Sequence, residues 1–237
     1  MRLAVAPLLA SVWSRGLDLL FPPRCVSCGS FGAFLCVACL AKTPRAQPPR
    51  CPVCWMPGSG DVCGRCRHEP FAFEAARCPF VYAGAARDAV HALKYRGVSA
   101  VAGVMAQAMA ECLTKWPPQE VVALVPVPMA GPRRRSRGYN QSEVLARELS
   151  RLSGLPLLNG LLVRRKAAPP QARATDEAAR RANVADAFAV RRREAVGGPL
   201  ILVDDVMTSG ATLDACALAL CEGGHNPVYA LTFARED

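Results

Sequence analysis

Over residues 71–237, two hydrophobic patterns alternate along the chain: continuous apolar runs and apolar positions at helical spacing. Continuous apolar runs predict buried strands over 78–83, 121–127, 199–205 and 227–233. Apolar positions at helical spacing predict helices over 85–95, 99–115, 140–152 and 211–222. Asn140 is the expected N-cap of the third helix. Because apolar strands alternating with helices are typical of a parallel sheet, we predict an α/β domain over 71–237.

The first twenty residues also carry apolar side chains at helical spacing, and we predict a short amphipathic helix over 1–20. Arg15 and Asp18 interrupt the apolar run, so the segment lacks the continuous apolar core of a secretory signal peptide. No run reaches the roughly 18 apolar residues that a membrane span needs. We therefore expect no transmembrane segment and a reducing, cytoplasmic compartment in which thiols are free to bind metal.

Residues 21–70 contain eight of the twelve cysteines, arranged as four Cys-x-x-Cys pairs: Cys25/Cys28, Cys36/Cys39, Cys51/Cys54 and Cys63/Cys66. This segment has almost no periodic apolar pattern, so it needs folding energy from another source. Two such turns supply the four thiolates that Zn²⁺ favours in a closed structural site, and metal binding then drives folding. We predict two structural zinc ions, with sequential and crossed pairing of the turns both open. Redox chemistry is the alternative, which the crowding of four pairs disfavours.

The positive charge is concentrated in one segment. The chain has 29 Lys and Arg against 19 Asp and Glu, a net charge of +10. Residues 131–193 hold 15 of the basic and 5 of the acidic residues, so the remainder is balanced. We expect this segment to meet an anionic partner, such as a phosphate, a nucleotide or a nucleic acid. Within it, residues 164–183 lack an apolar period and predict a long mobile loop.

Two adjacent acids, Asp204 and Asp205, end the apolar run of 199–205. A loop rich in Thr, Ser and Gly then leads into the predicted helix over 211–222. Ligands of open α/β sheets bind at the carboxyl ends of strands, and the free N–H groups of a helix start suit a phosphate. The carboxylates would repel that phosphate, so we expect them to meet ribose hydroxyls, with or without Mg²⁺.

This stretch resembles the phosphoribosyl pyrophosphate (PRPP) motif of type I phosphoribosyltransferases. Residues 125–131, followed by four arginines, look like the pyrophosphate loop of the amidophosphoribosyltransferase branch. Residues 91–97 (HALKYRG), 137–141 (RGYNQ) and 180–183 (RRAN) are similar to signatures of the ComF family, also called competence protein F. A double zinc ribbon over 21–70 ahead of a phosphoribosyltransferase-like domain over 71–237 is that family's architecture.

The resemblance implies three groups of site residues. Ribose and the 5′-phosphate of PRPP would bind at Asp204, Asp205, Thr208, Ser209, Gly210, Ala211 and Thr212. The pyrophosphate loop would consist of Pro128, Met129, Ala130 and Gly131, together with Arg137. The mobile loop would carry Arg164, Gln171, Arg173, Arg180 and Asn183. Ala167 and Ala168 stand where the family often has a threonine, which weakens a catalytic role for that loop.

The resemblance also implies a function. A ComF-family protein would bind PRPP or a related ribose phosphate with Mg²⁺ and act in the uptake of single-stranded DNA during natural transformation, with a competence helicase as partner. The alternative is an active phosphoribosyltransferase that transfers ribose 5-phosphate to a nitrogen nucleophile in nucleotide metabolism or salvage. No catalytic residue or acceptor is implied, so enzymatic activity stays open. Tyr139, in the basic segment, would either stack on a base of a single strand or pack against its own loop.

Overall fold

The computed structural model describes residues 22–116, 118, 120–165, 187–191 and 197–237. The α-helices of this part are α1 (Val37–Ala41), α2 (Gly64–His68), α3 (Gly84–Tyr95), α4 (Val101–Lys115), α5 (Gly131–Arg137), α6 (Gln141–Ser153) and α7 (Ala211–Glu222). Its strands are β1 (Ala75–Arg77), β2 (Phe80–Val81), β3 (Ala123–Pro126), β4 (Leu162–Arg164), β5 (Phe188–Val190), β6 (Leu200–Met207) and β7 (Val228–Arg235). The helix predicted over 1–20 lies outside the described residues. Over the ranges that are described, no helix is long and apolar enough to cross a membrane.

A parallel sheet in the order β1–β7–β6–β3 forms the centre of the α/β domain, and β2 extends its edge by pairing with β7. Val203 of β6 stands opposite Leu231 of β7, and Leu202 stands opposite Val125 of β3. The strands with continuous apolar runs are the central ones because a parallel sheet is covered on both faces. The predicted α/β domain with a parallel sheet is therefore confirmed.

Successive side chains of β6 point to opposite faces of the sheet, and each face has its own cover. Ile201 and Val203 belong to the core formed with α3, α4 and α6. Leu200 and Leu202 belong to the core formed with α7 and the antiparallel pair β4–β5. The sheet is thus the middle layer of a three-layer domain.

The cysteine-rich segment contributes to both of these cores. Cys25, Val26 and Leu35 of the first ribbon are buried with α3 and α4, whereas the buried cysteines of the second ribbon join the α7 side. An ion pair also ties the ribbons to the residues just after the last strand, because the buried Arg50 guanidinium lies 2.7 Å from the Asp237 carboxylate. The segment that lacks its own apolar period therefore uses the cores of the neighbouring domain.

Two predicted strands differ in extent from the observed ones. The strand predicted over 78–83 is replaced by β1 and β2, which both pair with β7 and are separated by Cys78 and Pro79. Pro79 has no N–H to donate to a ladder, and its carbonyl accepts from Ala46 of the ribbon segment instead. The strand predicted over 199–205 runs on to Met207, because Val206 and Met207 still pair with β7. The two acids, predicted as the last residues of the strand, therefore lie inside it, with Val206 and Met207 after them.

The sequence-based prediction lacks the short ribbon helices α1 and α2 and three elements of the α/β domain. Helix α5 occupies Gly131–Arg137, where we expected a loop; Pro132 lies in its first turn and Gly138 ends it at φ +84°. Strands β4 and β5 form a short antiparallel pair, with Leu162 opposite Val190. Strand β4 ends at Arg164, where the predicted mobile loop begins, and most of that loop lies outside the described residues.

Candidate ligand cleft and zinc clusters

A cleft of about 300 Å³ opens at the carboxyl ends of β3 and β6. Its walls come from several helices, strands and loops, and the side chains that bear on its chemistry are Tyr82, Lys94, Arg133, Asn140, Ser142, Arg164, Asp204, Asp205, Thr208 and Thr212. This is the edge where ligands of open parallel sheets bind. The residues predicted to bind the ligand should therefore line this cleft.

Asp205 is held by a buried ion pair. The Lys94 Nζ, near the end of α3, lies 2.8 Å from Asp205 Oδ1, and the Asp205 side chain is only 3% exposed. Asp205 continues the face of β6 that packs on α3, so the helix end delivers the lysine to it. Burial opposes the charged form of Lys94, but the attraction of Asp205 and their hydrogen bond raise the pKa of Lys94. One of the two predicted ribose-binding acids is therefore already neutralised by the protein.

Asp204 remains partly exposed and faces a different set of partners. Its Oδ1 accepts from the Ser142 hydroxyl at 2.7 Å and from the backbone N–H of Asp205 at 2.9 Å. Burial and the neighbouring Asp205 charge raise the pKa of Asp204 to about 7, against the opposing effect of these hydrogen bonds and of Lys94. Asp204 can therefore accept from a hydroxyl or meet a cation when ionised, and it changes its protonation near neutral pH.

The loop after β6, the predicted phosphate loop, brings hydroxyl groups and a left-handed glycine to the start of α7. Thr208 and Thr212 line the cleft, while Gly210 caps α7 in the left-handed conformation at φ +84°. A Cβ at Gly210 would lie 2.8 Å from the Met207 Cε and 3.1 Å from the Phe71 ring, so only glycine fits there. Ser209 is exposed and its Oγ accepts from the backbone N–H of Ala211. The predicted residues 208–212 thus converge at the start of a twelve-residue helix.

The predicted pyrophosphate loop is only partly in the cleft. Pro128, Met129 and Ala130 line it, and Gly131 begins α5. Arg137 points elsewhere: it donates to Gln141 at 2.6 Å and lies over the Tyr95 ring. Arg133 is the arginine of α5 that lines the cleft.

From the mobile-loop group, Arg164 lines the cleft at the end of β4. Gln171, Arg173, Arg180 and Asn183 lie outside the described residues. Tyr139 is not available for stacking, because its hydroxyl donates to the Leu93 carbonyl and its ring packs against the core. The exposed aromatic beside the basic helix is Tyr95, which is 68% exposed.

The sequence did not predict three contacts in the walls of the cleft. Lys94 pairs with Asp205, Ser142 donates to Asp204, and buried Asn140 connects the start of α6 to the end of β3. The predicted cap role of Asn140 is confirmed, since its Oδ1 accepts from the Ser142 N–H at 3.1 Å. Its Nδ2 also donates to the Val127 carbonyl, which fixes the start of α6 against the end of β3. The signal for Ser142 was weak, because a serine in the first turn of a helix usually serves as a local cap.

The eight ribbon cysteines form two separate clusters, each with its sulfur atoms within 4.8 Å of one another. The first contains Cys25, Cys28, Cys36 and Cys39, and the second contains Cys51, Cys54, Cys63 and Cys66. The turns therefore pair in sequence order, and crossed pairing is excluded for these residues. The backbone N–H groups of Cys36 and Cys63 point at the sulfurs of Cys25 and Cys51, as thiolate ligands require. Both clusters fit a structural Zn²⁺ ion in a closed four-sulfur site.

The second ribbon contacts the phosphate loop directly. Arg65, between the ligands Cys63 and Cys66, donates to the Ser209 carbonyl at 2.7 Å and lies over the Phe71 ring. The next residue of this connection, Ala72, donates its N–H to Asp214 in the first turn of α7. The loop at the end of β6 is therefore supported from the zinc-ribbon side.

A double zinc ribbon domain model matches residues 16–67. Competence protein ComFC of Bacillus subtilis (strain 168) is 26% identical over 80% of this chain and 79% of that protein. The DNA utilization protein YhgH of Salmonella typhi is 28% identical over 80% of this chain and 85% of that protein. Among solved structures, the B. subtilis glutamine PRPP amidotransferase complexed with ADP and GMP covers 56% of this chain and 26% of that one, with 18% identity and a TM-score of 0.39. The two relatives and the ribbon match confirm the resemblance to the ComF family.

Proposed function

We propose that this chain, which shares the double zinc ribbon and the sequence signatures of the ComF family, binds PRPP or a related ribose phosphate with Mg²⁺ in its cleft. The proposal depends on one observation: a single cleft collects Asp204, the loop of Thr208 and Thr212, and Pro128–Ala130. Such a cleft offers an acceptor for hydroxyls on one side and donors for phosphates on the other. A sugar that carries phosphates at two positions matches this division.

The 5′-phosphate would bind at the start of α7. Hydroxyls of Thr208 and Thr212 line this side, and Gly210 lets the backbone come close to the ligand. Free N–H groups and the positive end of the helix dipole add to the attraction. Asp204 and Asp205 are the only acids among the described residues that line the cleft. The repulsion of a phosphate is therefore confined to the β6 side.

The ribose hydroxyls would meet Asp204. The ion pair with Lys94 removes Asp205 from this task, and we assign to Asp205 the role of holding α3 against β6. Mg²⁺ binds in proteins through one or two carboxylates together with substrate phosphates, and Asp204 is the carboxylate that is open for it. When bound, Mg²⁺ would neutralise charge on the pyrophosphate. Arg133, and Arg164 from β4, would meet the same group from the protein side.

The cellular role that we propose is the handling of single-stranded DNA during natural transformation, with a competence helicase as partner. The support comes from the relatives, whose names are competence protein ComFC and DNA utilization protein YhgH. The net charge of +10, concentrated in residues 131–193, suits a polyanion. Helix α5 presents part of this charge beside the exposed Tyr95.

Calorimetry with PRPP tests the binding proposal. Wild-type protein should bind PRPP more tightly with Mg²⁺ than without it. Asp204→Asn should weaken binding about ten- to a hundredfold, the loss of a hydrogen bond to a charged group. Asp61→Asn is the matched control, because Asp61 is an exposed acid of the second ribbon that does not line the cleft.

If the wild type binds no PRPP at millimolar concentration, the proposal is refuted. If Asp204→Asn binds PRPP as tightly as Asp61→Asn, the binding site lies elsewhere. Release of pyrophosphate, followed in the same samples with candidate bases, separates binding from phosphoribosyl transfer. Turnover by the wild type would favour the alternative function, an active phosphoribosyltransferase.

A further inference from the structure

A second cavity, of about 430 Å³, lies between the ribbon segment and the end of α4. Two tryptophans, Trp55 of the second ribbon and Trp116 after α4, form part of its wall. None of its lining residues belongs to the cleft at β6. Its size falls within the roughly 300–1,000 Å³ of small-molecule sites. The cavity is therefore an independent candidate for ligand binding.

Arg77 lies between the two indoles. Its guanidinium carbon is 4.2 Å from the centroid of the Trp55 ring and 4.7 Å from that of Trp116. Nη1 donates to the carbonyls of Pro52 and Ala76, which fixes the side chain in place. Across the described ranges, no carboxylate forms an ion pair with Arg77. Burial lowers the pKa of Arg77, but an arginine stays charged at neutral pH, so its guanidinium is a half-buried cation that an incoming anion would compensate.

Trp55 adopts an unusual backbone conformation for its type. Its φ is +61°, in the left-handed region that favours glycine and disfavours a bulky residue. The indole Nε1 donates to the Ala46 carbonyl at 3.2 Å, so the ring is held in position. Strained residues of this kind persist where their surroundings hold them, and they are common at ligand clamps. A role for the ring at the cavity would account for a tryptophan at this position.

The rim of the cavity is positively charged. Arg45 and Lys115 line it, are exposed, and form no ion pair in the described part of the chain. Glu111 is the one acid among the described lining residues, so three cations face a single carboxylate. A ligand that satisfies these walls must combine an anionic group with a flat aromatic ring, because indoles stack on rings and cations attract phosphates.

We propose that this cavity is a nucleotide site, in which a base stacks on Trp55 or Trp116 and its phosphate meets the cations of the rim. The nucleotide is either free or one unit of a single strand, since both present the same base and phosphate. The site is independent of PRPP binding in the cleft.

Quenching of tryptophan fluorescence reports directly on the cavity, because two of the three tryptophans of the chain line it. The probes are deoxythymidine monophosphate, a short oligodeoxythymidine, and deoxyribose 5-phosphate, which has no base. We expect saturable quenching by the monophosphate, the oligonucleotide or both, and none by the sugar phosphate. Tighter binding of the monophosphate would identify a free nucleotide as the ligand, and tighter binding of the oligonucleotide would identify a single strand. No quenching by either one, or equal binding of the sugar phosphate, would overturn the proposal.

Variants connect the signal to the cavity. The double change Arg45→Ala and Lys115→Ala should weaken binding about tenfold, equivalent to the loss of two solvent-exposed charge contacts. The control removes two exposed cations that line neither cavity, by Lys42→Ala and Arg87→Ala. Equal effects of the two double variants would overturn the proposal, because they would indicate general attraction by net charge.

Two further variants test stacking and location. Trp55→Gly suits the positive φ, so the ribbon should keep its metal while base-dependent binding falls. Asp204→Asn changes the cleft and should leave quenching by nucleotides unchanged. Unaltered nucleotide affinity in Trp55→Gly and in Trp116→Leu would contradict stacking, and loss of quenching in Asp204→Asn would assign the signal to the cleft. The zinc content and the unfolding curve of each variant show whether it is folded.

Discussion

The ion pair between Lys94 and Asp205 allows a quantitative test of how the cleft is held. Lys94→Met keeps most of the side-chain length and removes the charge that lies 2.8 Å from Asp205. Removing one partner of a buried pair typically costs about 3–5 kcal/mol, because the other charge is left buried without compensation. The Lys94 side chain is 23% exposed and lines the cleft, so water can reach Asp205 after the change. We therefore expect a loss near the lower limit, about 3 kcal/mol in the free energy of unfolding.

Removal of the second charge should restore most of this loss. In Lys94→Met with Asp205→Asn no charge stays buried, and replacement of a buried pair by uncharged groups is often close to neutral. The double variant should therefore lie within about 1 kcal/mol of the wild type, which gives a coupling energy of about 2 kcal/mol or more between the two sites. Urea unfolding with zinc present, followed by circular dichroism and by fluorescence, measures all four proteins.

Two outcomes would refute this reasoning. If Lys94→Met costs less than about 1 kcal/mol, the pair behaves as an exposed one and does not hold the cleft. If the two single losses simply add in the double variant, the residues act independently, and the short distance between them carries no net energy.

Four further predictions concern the ribbons, the loop and the pH dependence. Metal analysis should find about two zinc ions per chain, and Cys63→Ser should remove one of them and leave the other, since the clusters are separate. An unfolded Asp ionises near pH 4, whereas folded Asp204 keeps its proton to about pH 7; the free energy of unfolding should therefore fall as the pH rises from about 4 to about 7 in urea titrations, and less so in Asp204→Asn. Gly210→Ala should destabilise the protein by about 1–3 kcal/mol in the same assay, because its φ of +84° and the close side chains leave no room for a Cβ. Arg65→Ala should weaken PRPP binding in calorimetry about fivefold by freeing the phosphate loop, whereas Arg67→Ala, on the same helix, should not.

The central elements of the fold could be predicted because their sequence signals are local. The strands β3, β6 and β7 are continuous apolar runs, and α3, α4, α6 and α7 have a helical apolar period or cap. Strands β4 and β5 are three residues each, and their pairing depends on chain segments that are distant in sequence. No local pattern specifies such a pair, since the strands form only when the sheet and α7 offer a surface.

Helix α5 shows that a local signal can be present and still be overlooked. Pro132 in the first turn and Gly138 just after the end are the usual signals of a helix start and stop. The four arginines between them were expected beside the pyrophosphate loop, with Arg137 singled out. The helix places Arg133 in the wall of the cleft and turns Arg137 toward Gln141, a difference that a loop could not predict.

For the cleft, the sequence could indicate the acids and the loop but not their partners. Asp204, Asp205 and residues 208–212 are contiguous, so their proximity follows from the chain itself. Lys94 and Ser142 reach the acids across 111 and 62 positions of sequence, and only the packing of α3 and α6 on β6 brings them there. A lysine at the end of a helix is already explained by its favourable interaction with the helix dipole. The position of Lys94 in the sequence therefore did not indicate an ion pair with Asp205.

The shared cores of ribbon and sheet affect how the protein is made. A ribosome releases the ribbon segment first, while the strands that bury its apolar side chains are still untranslated. The partner of Arg50 lies 187 positions later in the sequence, so the ribosome adds it roughly 10–40 s after Arg50 at 5–20 residues per second. During that time the nascent cysteine turns can already take up metal, but Val26 and Leu35 stay uncovered until α3 and α4 emerge, and the second cluster until β6, α7 and β7 emerge. Zinc supply during synthesis, and protection of this exposed segment, should therefore limit the yield of folded protein more than the stability of the finished domain.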